Sequence, residues 1–501
     1  MRVLIYATSM KGCQEGSALE EALYHLDKGD EVFYLHCGSC MKGCFDNPTF
    51  NSAICKECQF FLHNRTLHYL PKECIHSVNE YYNEDVKKEV ESFEMPEGDA
   101  ETVRSFTYKG VDVGYGAFSS YISLTRNLNP KMEGDVKRYF KSMFKQEIAL
   151  TLIGERIINE FKPDLIVFHN GRFAQYKPFL NLARSKHINF IATETNLGSD
   201  GEGLKNNFYN TIPHDTDAYL TAFEEAWANC KDEAKREKIG KSFFENRRFG
   251  RYAGDKIYVK DQKYGKLPEQ WDYDKEHIVI FNSSEDEYAA IDKTVDDLAL
   301  FKNQLEGIKT IMNRYCNDIT KQFVLRIHPN LKGIPYDYHT DLYKLSYPNL
   351  VVVTPESDIS SYALVDAADK VIVFGSTIGI ESAYWHKPVI CLAHSFYLKL
   401  DVAYNPKNVE ELWSYIDTKD LKDKYNDDIL KFGYLFMSDD SFERFKYINN
   451  GVYHYKLLGN DYEYPRYCKL FGSTFLYMIF SGVYKNFCRK VLKGDFNKVP
   501  V

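Results

Sequence analysis

The chain has no stretch of roughly 18 or more consecutive apolar residues, the length a helix needs to span a bilayer, so a polytopic membrane protein is not expected. It has no basic excess either. Lys and Arg number 63 against 71 Asp and Glu, a formal net charge of -8, which argues against a protein whose main task is coating nucleic acid. It shows no short-period repeat, no heptad array and no long low-complexity tract, which removes coiled coils and fibrous architectures. The opening residues, MRVLIYATSMKG, lack the basic start, long apolar core and small-residue cleavage site of a secretory signal, so the expected address is cytoplasmic.

What is present is globular: 501 residues, 44% hydrophobic and 27% charged. That length exceeds one ordinary core, because domains usually hold roughly 100 to 200 residues. Apolar stretches of four to six residues recur with helical patterns between them, the pattern of βαβ units and parallel sheets. In the first half, Val3 to Ala7, Glu31 to His36, Asp164 to His169 and Asn189 to Thr193 read as strands, with helices at Ser17 to Lys28, Ile148 to Phe161 and Pro178 to Lys186. A polar connector ends near residue 265, and the pattern restarts with strands at His277 to Phe281, Phe323 to Ile327, Leu350 to Val353, Val371 to Phe374 and Val389 to Leu392. The expected fold is therefore α/β, two Rossmann-like domains facing each other across a cleft: residues 1–265 as the first, 266–450 as the second, and 451–501 as a helical extension. Phe471 to Val483, followed by Lys485, Arg489, Lys490 and Lys493, reads as a core helix or as an interfacial helix with cations for anionic lipid on the inner face of the cytoplasmic membrane.

In open α/β sheets ligands bind beyond the carboxyl ends of the strands, so the residues there carry the functional reading. KVIVFGSTIGIESAYWHKPVI, residues 370 to 390, runs a strand into the turn residue Gly375, then Ser376 and Thr377 as a helix begins. Turn amides and the helix dipole favour a phosphate there, and Glu381, one turn deeper, could accept from ribose or sugar hydroxyls. The bland alternative is a helix cap and a solvated glutamate. FVLRIHPN leaves His328, Pro329 and Asn330 at a second strand end, where a histidine can donate to phosphate and carry positive charge as a leaving group becomes anionic. HIVIFNSSEDEY places Asn282, Ser283 and Ser284 at a third.

The HPN at 328–330, the GST at 375–377 with Glu381, FNSSEDEY and the HNGR at 169–172 together resemble the capsule polysaccharide biosynthesis family, with its related bacterial sialyl- and Kdo-transferases of the GT-B fold. The resemblance implies a glycosyltransferase that moves a sugar from a nucleotide-activated donor to a glycan or lipid-linked glycan of a growing surface polysaccharide, with His328, Ser376 and Thr377 on the donor's phosphate and Ser283, Ser284 and Asn330 nearby. A nucleotide-sugar 2-epimerase or polyol-phosphate transferase on the same architecture is the enzymatic rival, and a non-catalytic scaffold of a membrane assembly is the rival of another class.

Transfer with inversion needs a base for the acceptor hydroxyl, usually a carboxylate. In the first half, the strand NFIAT ends at Glu194, and Asp200 follows in a glycine-bearing loop. Glu194 is the expected base because a strand terminus holds it better, with Asp200 as runner-up. Asn170 and Arg172 of HNGRF are expected acceptor contacts, Gly171 allowing close approach. No catalytic metal is expected.

Seven of the 12 cysteines fall within the first 74 residues. Cys37-x2-Cys40 and Cys55-x2-Cys58 have the spacing of structural zinc sites, with an iron-sulfur cluster or unliganded thiols as the alternatives. The family resemblance implies Cys37, Cys44, Cys55 and Cys58 as the ligands, leaving Cys40 as a fifth thiol in an insertion at 37–76.

Overall fold

The computed structural model describes residues 1–8, 13–40, 66–197, 202–253, 257–438, 443–449, 454–457 and 460–463, with Cys44, Phe45, Asn47, Cys55, Cys58 and Gln59 as isolated positions. It divides into two compact units. The first comprises Met1–Pro213, Ala290–Asp292 and Phe442–Val501, and the second His214–Ala289 and Lys293–Ser441.

The first unit is built on a mixed sheet. Its strands are β1 (Arg2–Ala7), β2 (Glu31–His36), β3 (Ile75–Ser77), a small hairpin of β4 (Thr107–Tyr108) and β5 (Val111–Asp112), then β6 (Leu165–His169), β7 (Asn189–Leu197) and β8 (Glu202–Tyr209). In space β3, β2, β1, β6 and β7 follow one another in parallel, and β8 closes on β7 as an antiparallel partner. The β1 sequence VLIYA is apolar throughout because both faces of a parallel sheet are covered; Val3, Leu4 and Ile5 are fully buried. The helix before β6 is longer than the expected Ile148–Phe161: it starts at Gly134, and its buried residues include Tyr139, Phe140, Met143, Phe144, Leu150, Ile153 and Ile157, a pattern of three- and four-residue steps. The expected helix Pro178–Lys186 is observed at Lys177–Ser185.

The second unit holds an all-parallel sheet of β9 (Glu276–Phe281), β10 (Lys321–Arg326), β11 (Leu350–Val353), β12 (Lys370–Val373) and β13 (Val389–Cys391). Their spatial order is β11, β10, β9, β12, β13. All five strands expected from sequence are present. The alternating faces of β10 separate two cores: Val324 belongs to one with Phe281, Val353 and Val373, while Phe323, Leu325 and Ile327 belong to the other. The helices Thr216–Asn229 and Glu233–Arg248 pack with this unit, since Phe223, Phe243 and Phe244 join Ile429, Phe432 and Leu435 of the helix Asp428–Met437 in one core. The division thus falls at residue 213, where aromatic packing sets it, and not at the polar connector near 265.

Chain 443–463 returns to the first unit as β14 (Glu443–Asn449), β15 (His454–Leu457) and β16 (Asn460–Glu463), a meander that extends the first sheet from β8. These residues form strands where sequence reading placed the end of one domain and the start of a helical extension. The segment Phe471 to Val483 lies outside the described residues. Among the described residues no helix is long and apolar enough to cross a membrane.

Candidate functional site

Both parallel sheets carry the same order, third, second, first, fourth, fifth in their own strand sequence, so each has a switch point where chain connections depart in opposite directions. In the second unit it lies between β9 and β12. A cavity of about 250 Å³ opens there. Its wall includes Asn282 after β9, Arg326 and His328 at the end of β10, and Gly375, Ser376, Thr377 and Glu381 after β12.

Gly375 is required by the turn. Its φ is 82°, and a Cβ at this position would overlap the carbonyl oxygen of His394. The chain then enters the helix Ile378–Tyr384, and the side chain of its N-cap residue Thr377 makes no capping hydrogen bond. The capping role considered for that hydroxyl is therefore not what the structure shows.

The backbone N–H of His328 donates to Asn282 Oδ1 at 2.8 Å, which joins two adjacent strand ends. His328 Nδ1 accepts from the Asn330 amide at 3.1 Å, so the neutral ring carries its proton on Nε2 and presents that nitrogen as a donor. Tyr258 stands edge-on to the ring at 5.1 Å between centroids.

The remaining expected donor contacts are placed differently. Ser283 is buried, its hydroxyl donating to the Phe374 carbonyl at 2.8 Å and accepting from Gln304 at 2.7 Å. Ser284 donates to Asp286 at 3.0 Å and accepts from Asn330, whose amide also reaches Glu287 at 2.9 Å. Ser283, Ser284 and Asn330 thus tie the loops behind the wall and are not among its lining residues. Glu381 lines the cavity, yet its carboxylate already accepts from Arg247 Nε at 2.9 Å and from the Tyr362 hydroxyl. The expected solvated or sugar-facing glutamate is instead half of a buried ion pair.

Arg247, Tyr362 and Arg326 escaped the sequence reading. Arg326 is 2% exposed; its guanidinium donates to the carbonyls of Thr354 and Ser357, while its buried Nε–H has no acceptor. No carboxylate lies within ion-pair distance among the described residues, and burial lowers its pKa to about 10, which leaves it charged at neutral pH. The signal was a charged residue inside the apolar run FVLRI. Much of the rest of the wall is aromatic: Phe243, Phe281, Tyr288, Phe396, Phe432 and Phe436 offer ring surface and exclude water.

In the first unit, Glu194 is not at a strand terminus. β7 continues to Leu197 by pairing with β8, Glu194 opposite Asn206, so the expected loop is the end of a hairpin. Glu194 nevertheless lies one residue beyond the last parallel pair, His169 with Thr193. Asn170, at φ 54°, donates to its carboxylate, and His169 Nε2 is 3.9 Å away. Arg172 reaches the Ser123 hydroxyl at 3.4 Å and lies over the Phe173 ring. The structure therefore brings Asn170 and Glu194 together and directs the Arg172 guanidinium to Ser123. Asp200 lies outside the described residues. Among the described residues, Tyr6, Thr8, His169, Tyr176 and Thr193 line a small cavity of about 10 Å³.

Cys55 Sγ accepts from Asn47 Nδ2 at 3.2 Å, and burial pushes the Cys37 thiol up. Among the described residues no three His, Cys, Asp or Glu side chains are grouped to hold a metal ion.

Residues 208–424 match the model of the family described as capsule polysaccharide biosynthesis protein, in agreement with the family resemblance, over a stretch that holds most of the residues lining the cavity. No curated protein sequence matches the chain. Among solved structures, the chain is similar to the beta Kdo 2,4 transferase of Thermosulfurimonas dismutans KpsC at 13% identity and a TM-score of 0.34, over 54% of this chain and 78% of that one. It is similar to UDP-GlcNAc 2-epimerase from Methanocaldococcus jannaschii at 13% identity and a TM-score of 0.23, over 87% and 98%. It is also similar to the Streptomyces sp. SF2575 glycosyltransferase SsfS6, complexed with thymidine diphosphate, at 9% identity and a TM-score of 0.22, over 88% and 95%.

Proposed function

We propose that the chain is a glycosyltransferase of surface-polysaccharide synthesis whose second unit holds a nucleotide-activated sugar. One observation carries the reading: His328, Ser376 and Thr377, from two different strand ends, line a single aromatic-walled cavity at the switch point of a parallel sheet. A nucleobase can lie on ring faces, and the phosphate can take the Nε2–H of His328 and the two hydroxyls. The family match over the same stretch supports a role in capsule polysaccharide synthesis.

The chemistry follows from those groups. An acceptor hydroxyl attacks the anomeric carbon and the bond from that carbon to the phosphate oxygen breaks, so the nucleotide leaves with the electron pair. His328 donates to, or as its cation offsets, the charge that grows on the leaving phosphate. Glu194 is the carboxylate for the acceptor's proton, held by Asn170. The acceptor is a glycan or lipid-linked glycan.

A thermal-shift screen with CMP, UDP, GDP and CDP tests the donor site, because a ligand of the folded state raises the melting temperature. We expect one base to stabilise clearly more than the others, and His328→Ala to lose roughly 100-fold or more in turnover with the fold retained. Full turnover in His328→Ala would refute the assignment. Release of an epimerised free nucleotide sugar without acceptor would move the protein to the epimerases.

A further inference from the structure

The cavity wall contains two guanidinium groups of different standing. Arg247 is neutralised in place, since Glu381 accepts from its Nε. Arg326 is not: its two acceptors are carbonyl oxygens, and among the described residues no carboxylate lies within ion-pair distance. Glu356, exposed on the loop after β11, is the carboxylate that acts on Arg326 at longer range. The other acidic lining residue, Glu287, is exposed and accepts from Asn330. An arginine cannot shed its charge to escape burial as a lysine or histidine can, so a buried guanidinium without a counter-ion costs stability unless something anionic completes it. Its position is fixed by backbone: as the last residue of β10, Arg326 pairs with Phe281 on one side and Val353 on the other, two residues before His328.

We propose that Arg326 is the anion anchor of the cavity, the residue that makes binding depend on a phosphate-bearing ligand rather than on a nucleoside or a neutral sugar. This rests on the donor reading for the identity of the ligand, but the requirement for negative charge stands on the wall itself. Arg326 acts from behind the surface as a fixed cation in a poorly screened site, while His328, Ser376 and Thr377 make the direct hydrogen bonds.

The test is calorimetric titration of the full-length chain with cytidine, uridine, CMP, UDP and inorganic pyrophosphate, for the wild type, Arg326→Gln and Arg326→Lys, with the melting temperature of each recorded. The wild type should prefer a nucleotide over its nucleoside by roughly 10- to 100-fold, the range of a charge-assisted contact. Arg326→Gln should lose that preference and pyrophosphate binding, while nucleoside affinity is retained. Arg326→Lys should keep most of the preference. A folded Arg326→Gln that still prefers the nucleotide, or a wild type that binds nucleoside and nucleotide alike, overturns the proposal. If Arg326→Gln does not fold, Arg326→Lys decides: loss of preference in that folded variant overturns it, and retention supports it. Pyrophosphate binding that depends on Arg326, with no nucleotide bound by the wild type, supports the anion anchor and defeats the donor reading; no binding of any phosphate probe defeats both.

Discussion

The two units share a strand order and diverge in what they bury beside it. The first unit encloses Glu147, whose carboxyl group burial holds well above the usual range, with Asp112 adding to the shift and Lys177 and the Ala117 amide pulling the other way. The second encloses Arg326, lowered only to about 10. Desolvation disfavours both charged forms, but the responses differ: a carboxylate can take up a proton and shed its charge, whereas the guanidinium keeps its own. One unit has thus buried an acid whose charged form burial disfavours, and the other a permanent cation. The 250 Å³ cavity belongs to the unit with the cation. Equal topology fixes where a site can form, and the side chains decide what lines it.

Each unit also buries a closed ion pair, Arg247 with Glu381 in the second and Lys205 with Glu21 in the first. Glu381→Ala and Glu21→Ala should each cost roughly 3–5 kcal/mol by denaturant unfolding, because each strands a buried cation. Only Glu381→Ala should also weaken nucleotide binding, since Glu381 lines the cavity. Equal loss of binding in both variants would show that the comparison reports general destabilisation and nothing local.

A smaller effect separates the glycines at the two sheet edges. Gly375→Ala combines a left-handed φ with overlap on a backbone carbonyl that cannot swing aside, and should cost about 2–3 kcal/mol and abolish ligand-induced stabilisation. Gly171→Ala has a similar φ of 86°, but its Cβ would meet the Phe168 ring at 3.1 Å and the Leu180 side chain at 3.2 Å, which can yield; about 1 kcal/mol is expected. If the two cost the same, backbone crowding is not what sets the turn after β12.

Much of this was readable in the residues. Buried parallel strands are apolar runs bounded by turns, so all five strands of the second sheet were legible, and GST and HPN marked the ends of the two strands that flank β9, which do converge on one wall. What the chain order hid was partnership. Arg247 lies 134 residues from Glu381, and no periodicity links them. Ser283 and Asn330 looked like ligand contacts because hydroxyls and amides at strand ends serve ligands and loops equally well, and only the fold shows that Gln304, Phe374 and Glu287 already use them. Glu194 was placed at a strand terminus because a hairpin pairing through Leu197 depends on β8, a partner that local pattern does not reveal.

The subtlest consequence concerns pH. Because the folded-state pKa of Glu147 is raised above its unfolded value of 4.5, the folded chain holds a proton that the unfolded chain releases, and stability falls as pH rises from about 4.5 toward the folded value. Glu147→Gln keeps the shape without the ionisable group, so it should flatten that decline and gain stability relative to the wild type at pH 8 while changing little at pH 4. Arg326→Gln should show no such crossover over the same range, because the arginine is charged throughout it. Unfolding curves at pH 4, 6 and 8 for the three proteins test this directly. A Glu147→Gln profile parallel to the wild type would mean that Lys177 offsets the effect of burial on Glu147, and the first unit would then bury a paired charge.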